Sequence, residues 1–64
     1  MKLRIEHEIG EEPIVWITED GFSSESSYRV YSAIGRLIQL IHETNNPKII
    51  VGYAKFLESV LKLN

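Results

Sequence analysis

The 64-residue chain contains no cysteine. It therefore has no disulfides, no thiolate chemistry and no cysteine-ligated zinc site of the kind that stabilises many small domains. A domain of this size buries only about 60% of the surface of its unfolded chain. We expect a second copy of the chain to supply the missing burial, so that the protein is a homodimer. The lack of cysteine also fits a reducing compartment, and we expect a cytoplasmic location.

Long apolar runs and catalytic motifs are missing too. Apolar runs such as Ile49–Val51 are only a few residues long, which is too short to cross a bilayer. The four glycines are isolated, so there is no glycine-rich phosphate loop, and no Gly-x-Ser-x-Gly motif surrounds the serines. His7 and His42 lack the spacing of metal ligands. We predict a protein that is not an enzyme and binds no cofactor, no metal and no membrane.

The charges are unevenly distributed, although the net charge is only −2. Residues 1–25 hold seven carboxylates and two cations, whereas residues 26–64 hold five cations and two carboxylates. An acidic first third followed by a mildly basic remainder indicates two surfaces of opposite charge.

The acidic part predicts a β-hairpin over residues 2–18. Residues 2–9 alternate polar and apolar side chains, residues 10–13 (Gly-Glu-Glu-Pro) are typical of a turn, and residues 14–18 are rich in β-branched and aromatic residues. A four-residue loop would pair Ile9 with Ile14 and Arg4 with Glu19. This register places Val15 and Ile17 on the solvent face among the carboxylates, and gives a core face made of Leu3, Ile5, His7, Ile9, Ile14, Trp16 and Thr18. A shift of one residue would exchange the two faces.

A long amphipathic helix is predicted over residues 24–44. At 100° per residue, Val30, Ile34, Leu37 and Ile41 form an apolar stripe opposite a polar face. Ser23 or Ser24 would cap the helix through its hydroxyl. Gly35 lies at the edge of the stripe and costs about 1 kcal/mol relative to alanine, which indicates a close neighbour at that point.

Residues 47–63 favour a second helix. Asn46 would cap it, Pro47 suits its first position, and apolar residues continue at helical spacing. The alternative is a third strand near 48–53 followed by a short helix. The sequence thus predicts a single α+β domain over 1–64, a hairpin packed on two antiparallel helices (ββαα), with ββαβα as the alternative. No motif identifies a family.

Two functional hypotheses follow from the charges. The first is a small non-enzymatic, protein-binding regulator or inhibitor whose acidic hairpin meets a basic protein, including by imitating a nucleic-acid backbone. Its surface would comprise Glu6, Glu8, Glu11, Glu12, Val15, Ile17, Glu19 and Asp20. The second is a dimeric nucleic-acid-binding transcriptional regulator that uses basic helix faces, with Arg29, Arg36, Lys48, Lys55 and Lys62 as its contacts. The thin basic footprint makes the first hypothesis the preferred one.

Overall fold

Three antiparallel strands and two helices make up the protein in a computed structural model that describes residues 1–63. Strand β2 lies between β1 and β3, and the helices pack against one face of this sheet. The arrangement confirms the α+β class and the hairpin followed by two helices, and it adds one strand. In chain order the elements are β1 (Lys2–Glu6), β2 (Ile14–Thr18), β3 (Ser26–Tyr28), α1 (Val30–Glu43) and α2 (Pro47–Leu61).

The third strand is formed by the serine segment that was predicted to begin the first helix. Ser26 pairs with Ile17, and Tyr28 pairs with Val15. Helix α1 begins only at Val30, and its N-cap residue Arg29 makes no side-chain capping hydrogen bond. The predicted cap at Ser23 or Ser24 and the helical start at residue 24 are therefore wrong. The serine segment forms a strand because of a contact with a distant part of the chain. The second edge of the buried strand β2 needs hydrogen-bond partners, and β3 supplies them.

The hairpin register differs from the predicted one by three residues. Arg4 lies opposite Trp16 rather than Glu19, and Ile5 lies opposite Val15. A shift by an odd number exchanges the two faces of β2. Val15 and Ile17 are accordingly buried, with 0% and 1% of their surface exposed. Both faces of β2 are rich in apolar residues. The outer face carries Trp16, whose indole N–H needs a hydrogen-bond partner, and the face without this group is the buried one.

Helix α2 begins as predicted. The side chain of Asn46 accepts a hydrogen bond from the backbone N–H of Lys48 at 3.0 Å, and Pro47 occupies the first turn, where its missing N–H costs nothing. The segment 48–53 is helical, so the alternative third strand at that place is wrong.

The core lies between the sheet and the helix pair. On α1 its centre is shifted towards Ala33, Leu37 and Leu40, whereas Ile34, the predicted centre, is only half-buried. The fully buried core residues come from β2 and the two helices, and are Val15, Ile17, Ala33, Leu37, Leu40, Tyr53 and Val60.

Candidate functional site

The strongest candidate site is the seven-residue connection between β1 and β2, residues 7–13, which we call the acidic loop. Within it, the backbone N–H of Glu11 donates to the carbonyl oxygen of Glu8 at 3.1 Å. Gly10 occupies the third position of this turn with φ +85°, the value that a type II turn requires there. Ile9 is therefore held at the second position of a tight turn and points away from the rest of the chain.

Ile9 is the most exposed apolar residue of the described chain, with a relative exposure of 105%. The exposed carboxylates of Glu8, Glu11 and Glu12 surround it in sequence. Among residues 1–63, Glu12 is the only one of the three with a cation within 4.0 Å, and Arg29 Nε lies 3.9 Å from its Oε2. Both of those side chains are mostly exposed, so water and salt screen the pair. The loop thus presents an apolar side chain among carboxylates that remain hydrated.

A cleft of about 430 Å³ lies beside the base of the acidic loop. The apolar part of its lining comes from Pro13, Ile14 and Tyr28, and Ile14 itself is 38% exposed. The polar part comes from Glu11, Glu12, Ser27 and Arg29. The cleft thus adds a partly apolar surface at the end of the hairpin that carries the acidic loop, because Glu11, Glu12 and Pro13 of the loop form part of its lining.

The structure corrects the apolar part of the predicted acidic surface. Val15 and Ile17 were predicted to be exposed between the carboxylates, but both lie in the core. The exposed apolar residues of the hairpin are Ile9 and Ile14 instead. Sequence reasoning placed Ile9 on the core face because it extended the alternation of β1 to residue 9. The glycine directly after Ile9 was the signal that a turn begins earlier.

Glu19 and Asp20 lie at the other end of the hairpin and do not extend the acidic loop. Both Nε (3.0 Å) and Nη2 of Arg36 donate to Oε2 of Glu19. This hydrogen-bonded carboxylate raises the pKa of the Arg36 guanidinium above its ordinary value. The backbone N–H of Asp20 donates to the hydroxyl of the buried Tyr53 at 3.1 Å. This end of β2 is thus fastened to both helices, which is a structural role.

Glu6 belongs to the outer face of the sheet, on the side away from the helices. Its Oε1 accepts a hydrogen bond from Nε1 of Trp16 at 3.3 Å. Arg4 stacks over the Trp16 ring, with its Cζ 4.6 Å from the ring centroid, and also donates to Glu25 at 3.0 Å. The half-buried Trp16 is therefore covered by charged side chains of its own chain.

Two of the five basic residues of the second hypothesis have a carboxylate nearby. Arg36 is bound to Glu19, and Arg29 lies near Glu12. Two lysines of α2 and the lysine that caps its C-terminus recur every seven residues on the exposed side, and no carboxylate in residues 1–63 lies within ion-pair distance of them. Lys48, Lys55 and Lys62 are therefore the residues of this predicted interface that have no ion-pair partner among residues 1–63.

His7 and His42 are both exposed. His7 lies in the exposed acidic loop beyond the end of β1, not packed beside Trp16 on the core face. Among residues 1–63, no three histidine, aspartate or glutamate side chains come together in a way that could hold a metal ion. The helices within this range also include none that is long and apolar enough to cross a membrane.

Comparison with known proteins gave no match to a family model, to a curated protein or to a solved structure.

Proposed function

We propose that the protein is a small non-enzymatic, protein-binding regulator or inhibitor whose acidic loop binds a basic, partly apolar surface on another protein. The observation that carries this proposal is Ile9, fully exposed at the tip of a tight turn between Glu8 and Glu11. Water is a poor environment for an isoleucine side chain, and its burial in a partner contributes about 1.5–3 kcal/mol. The cleft lined by Pro13, Ile14 and Tyr28 would extend that apolar contact.

The carboxylates and Ile9 have different roles in this proposal. The carboxylates of Glu8, Glu11 and Glu12 accelerate encounter with a basic surface and discriminate against acidic proteins. Ile9 provides the apolar anchor, in the way that a few buried side chains dominate the energy of most interfaces. A basic surface that normally contacts nucleic-acid phosphates has the required charge, so we include occupation of such a site in the proposal.

We also propose that the protein acts as a homodimer in the cytoplasm. The support for the dimer is the small size of the domain, whose core must form from 64 residues without disulfides. The support for the location is the absence of cysteine.

Cross-linking from the tip of the loop tests the proposal. A photo-reactive amino acid is placed at position 9 of the full chain and, as a matched control, at position 51, where Val51 is 51% exposed on α2. In extracts of the native host, we expect position 9 to cross-link to a basic protein that position 51 does not reach. Adding Glu8→Gln, Glu11→Gln and Glu12→Gln should reduce this cross-link at least tenfold. Equal cross-linking with and without the three glutamines would refute the proposal.

The row of lysines formed by Lys48, Lys55 and Lys62 supports a second candidate, nucleic-acid binding. If it is correct, the chain binds a DNA duplex with an affinity that falls steeply with salt, and Lys48→Gln, Lys55→Gln and Lys62→Gln together abolish that binding. The acidic-loop proposal expects the lysine variant to retain the protein partner and the wild-type chain not to bind DNA at low salt. The two sets of variants therefore separate the two functions.

A further inference from the structure

The side of the helix pair that faces away from the sheet is apolar and uncovered. We call it the outer helix face and define it by Tyr31, Ile34 and Ile38 of α1 with Ala54, Leu57 and Leu61 of α2. Tyr31, Ile38 and Leu61 are 81%, 45% and 49% exposed, and the other three are half-buried.

The position of this face follows from helix geometry. On α1, Ala33 and Leu37 are buried towards the core, so Tyr31 and Ile38 lie further round the helix, beyond Ile34. On α2, Gly52 faces the side chain of Met1, the residue before β1, because a Cβ there would lie 2.8 Å from Cε of Met1. Leu61 lies about 180° away from Gly52 at 100° per residue. Both apolar stripes therefore border the groove between the helices on the solvent side.

Charge is almost absent from this surface, although a quarter of the chain is charged. The six defining residues are all uncharged. At 100° per residue His42 and Gly35 continue the surface on α1, Glu58 borders it on α2, and Glu12 and Arg29 line a cleft beside Tyr31. A surface that carries a net charge repels its own copy across a two-fold axis, as the acidic loop and the row of lysines would. The outer helix face meets its own copy without such repulsion.

Gly35 points to a helix as the occupant. It lies in the middle of α1, is exposed, and has no atom within 4 Å of the position that a Cβ would take. Within residues 1–63 nothing uses the space that this glycine leaves, and the close neighbour predicted from the sequence is not found there. A glycine at an exposed helix surface allows another helix backbone to approach closely.

The exposed area is consistent with a missing neighbour. A compact monomer of 7.4 kDa exposes about 4,200 Å² by the scaling of folded monomers, whereas this chain exposes 4626 Å². The helices have 14 and 15 residues, which makes the face roughly 21 Å long and two helices wide. Such an interface is at the small end of stable ones, so the complex should dissociate in the micromolar range.

We propose that the outer helix face is the interface of a two-fold homodimer in which α1 crosses α1 of the second copy at Gly35. The inference rests on the homodimer proposed above and adds the surface that forms it. It also excludes the open edge of β1 as the interface, where Lys2, Arg4 and Glu6 place charges along the strand, as edge strands that avoid pairing do.

Sedimentation equilibrium of the full chain from 5 to 500 μM tests this interface. We expect a concentration-dependent shift from monomer to dimer mass. Ile38→Glu should weaken the dimer at least a hundredfold, while Phe22→Glu should leave it unchanged, because Phe22 is 68% exposed but lies in the β2–β3 connection. Circular dichroism of each variant checks that it is folded.

Gly35→Gln gives a second, independent test, because it should raise the stability of the monomer and lower the affinity of the dimer. The side chain has room within the chain and replaces a poor helix former, so the melting temperature of the dilute monomer should rise. In the dimer the same side chain occupies the crossing point, so dissociation should become at least tenfold easier. A rise in melting temperature without any loss of dimer would overturn the crossing at Gly35.

The remaining outcomes also decide the matter. A monomer throughout the concentration range overturns both the homodimer and its interface. A dimer that survives Ile38→Glu but is lost in Arg4→Pro overturns the interface alone and places the second copy at β1. The acidic-loop proposal is judged separately, by whether the Ile38→Glu chain still cross-links to its basic partner from position 9.

Discussion

The two faces of β2 are similar in composition but opposite in environment. Val15 and Ile17 point into the core and are fully buried, whereas Ile14 and Trp16 point to the outer face, where Arg4 and Glu6 contact Trp16 and Ile14 is 38% exposed. The comparison shows that hydrophobicity alone does not decide which face of an apolar strand is buried. The buried side chains are purely aliphatic and β-branched, and the outer pair includes the one with an N–H that needs a partner.

The largest test of this comparison is to truncate one isoleucine on each face. Ile17→Ala removes a fully buried side chain and leaves a cavity, so we expect the free energy of unfolding to fall by about 3 kcal/mol. Ile14→Ala on the same strand should cost less than about 1 kcal/mol, because Ile14 is 38% exposed. Urea denaturation of both variants gives the two values. A larger loss for Ile14→Ala would mean that the faces of β2 are exchanged.

An intermediate loss of stability is expected when the Arg4 side chain that covers Trp16 is removed. Arg4→Ala deletes the guanidinium that stacks over the indole at 4.6 Å, and we expect a loss of about 0.5–1 kcal/mol. Trp16 is the only tryptophan, so acrylamide quenching of its fluorescence should increase. Lys2→Ala, on the same face of β1, is the control and should leave the quenching unchanged. If quenching is equal in both variants, Arg4 does not shield the indole.

The smallest expected change in stability concerns the serine segment that leads into β3. Because Ser24 caps no helix, Ser24→Ala should change the free energy of unfolding by less than about 0.5 kcal/mol. Asn46→Ala removes an observed cap and should cost about 1 kcal/mol. Thermal denaturation followed by circular dichroism compares the two. Equal losses would show that the serine segment begins a helix rather than forming β3.

Local signals in the sequence were sufficient for some elements. The Asn46-Pro47 pair predicts the start of α2, and its hydrogen bond to Lys48 is present. The Asp20-Gly21 pair forms the turn after β2, where Gly21 adopts φ +86° and the Phe22 N–H donates to the carbonyl oxygen of Glu19. In each case the residues fix the backbone without help from distant parts of the chain.

Other features depended on contacts between distant residues. The serines after Phe22 suit a helix cap and an edge strand equally well, and the unpaired edge of β2 decides between them. The register depended on where β1 ends, and the turn at Glu8–Glu11 takes two residues that the alternation assigned to the strand. The acidic character of the hairpin could therefore be predicted from the sequence, but the exposure of Ile9 could not.

The hairpin register is the central claim, because it buries Val15 and Ile17 and thereby leaves the acidic loop to present Ile9. Nuclear Overhauser effects from the Trp16 indole in an isotopically labelled sample test it most directly. The account predicts cross-peaks from the indole to the side chains of Arg4 and Ser27, its neighbours on the two flanking strands. Cross-peaks from the indole to the methyl groups of Ala33 and Leu37 would place Trp16 in the core and contradict it.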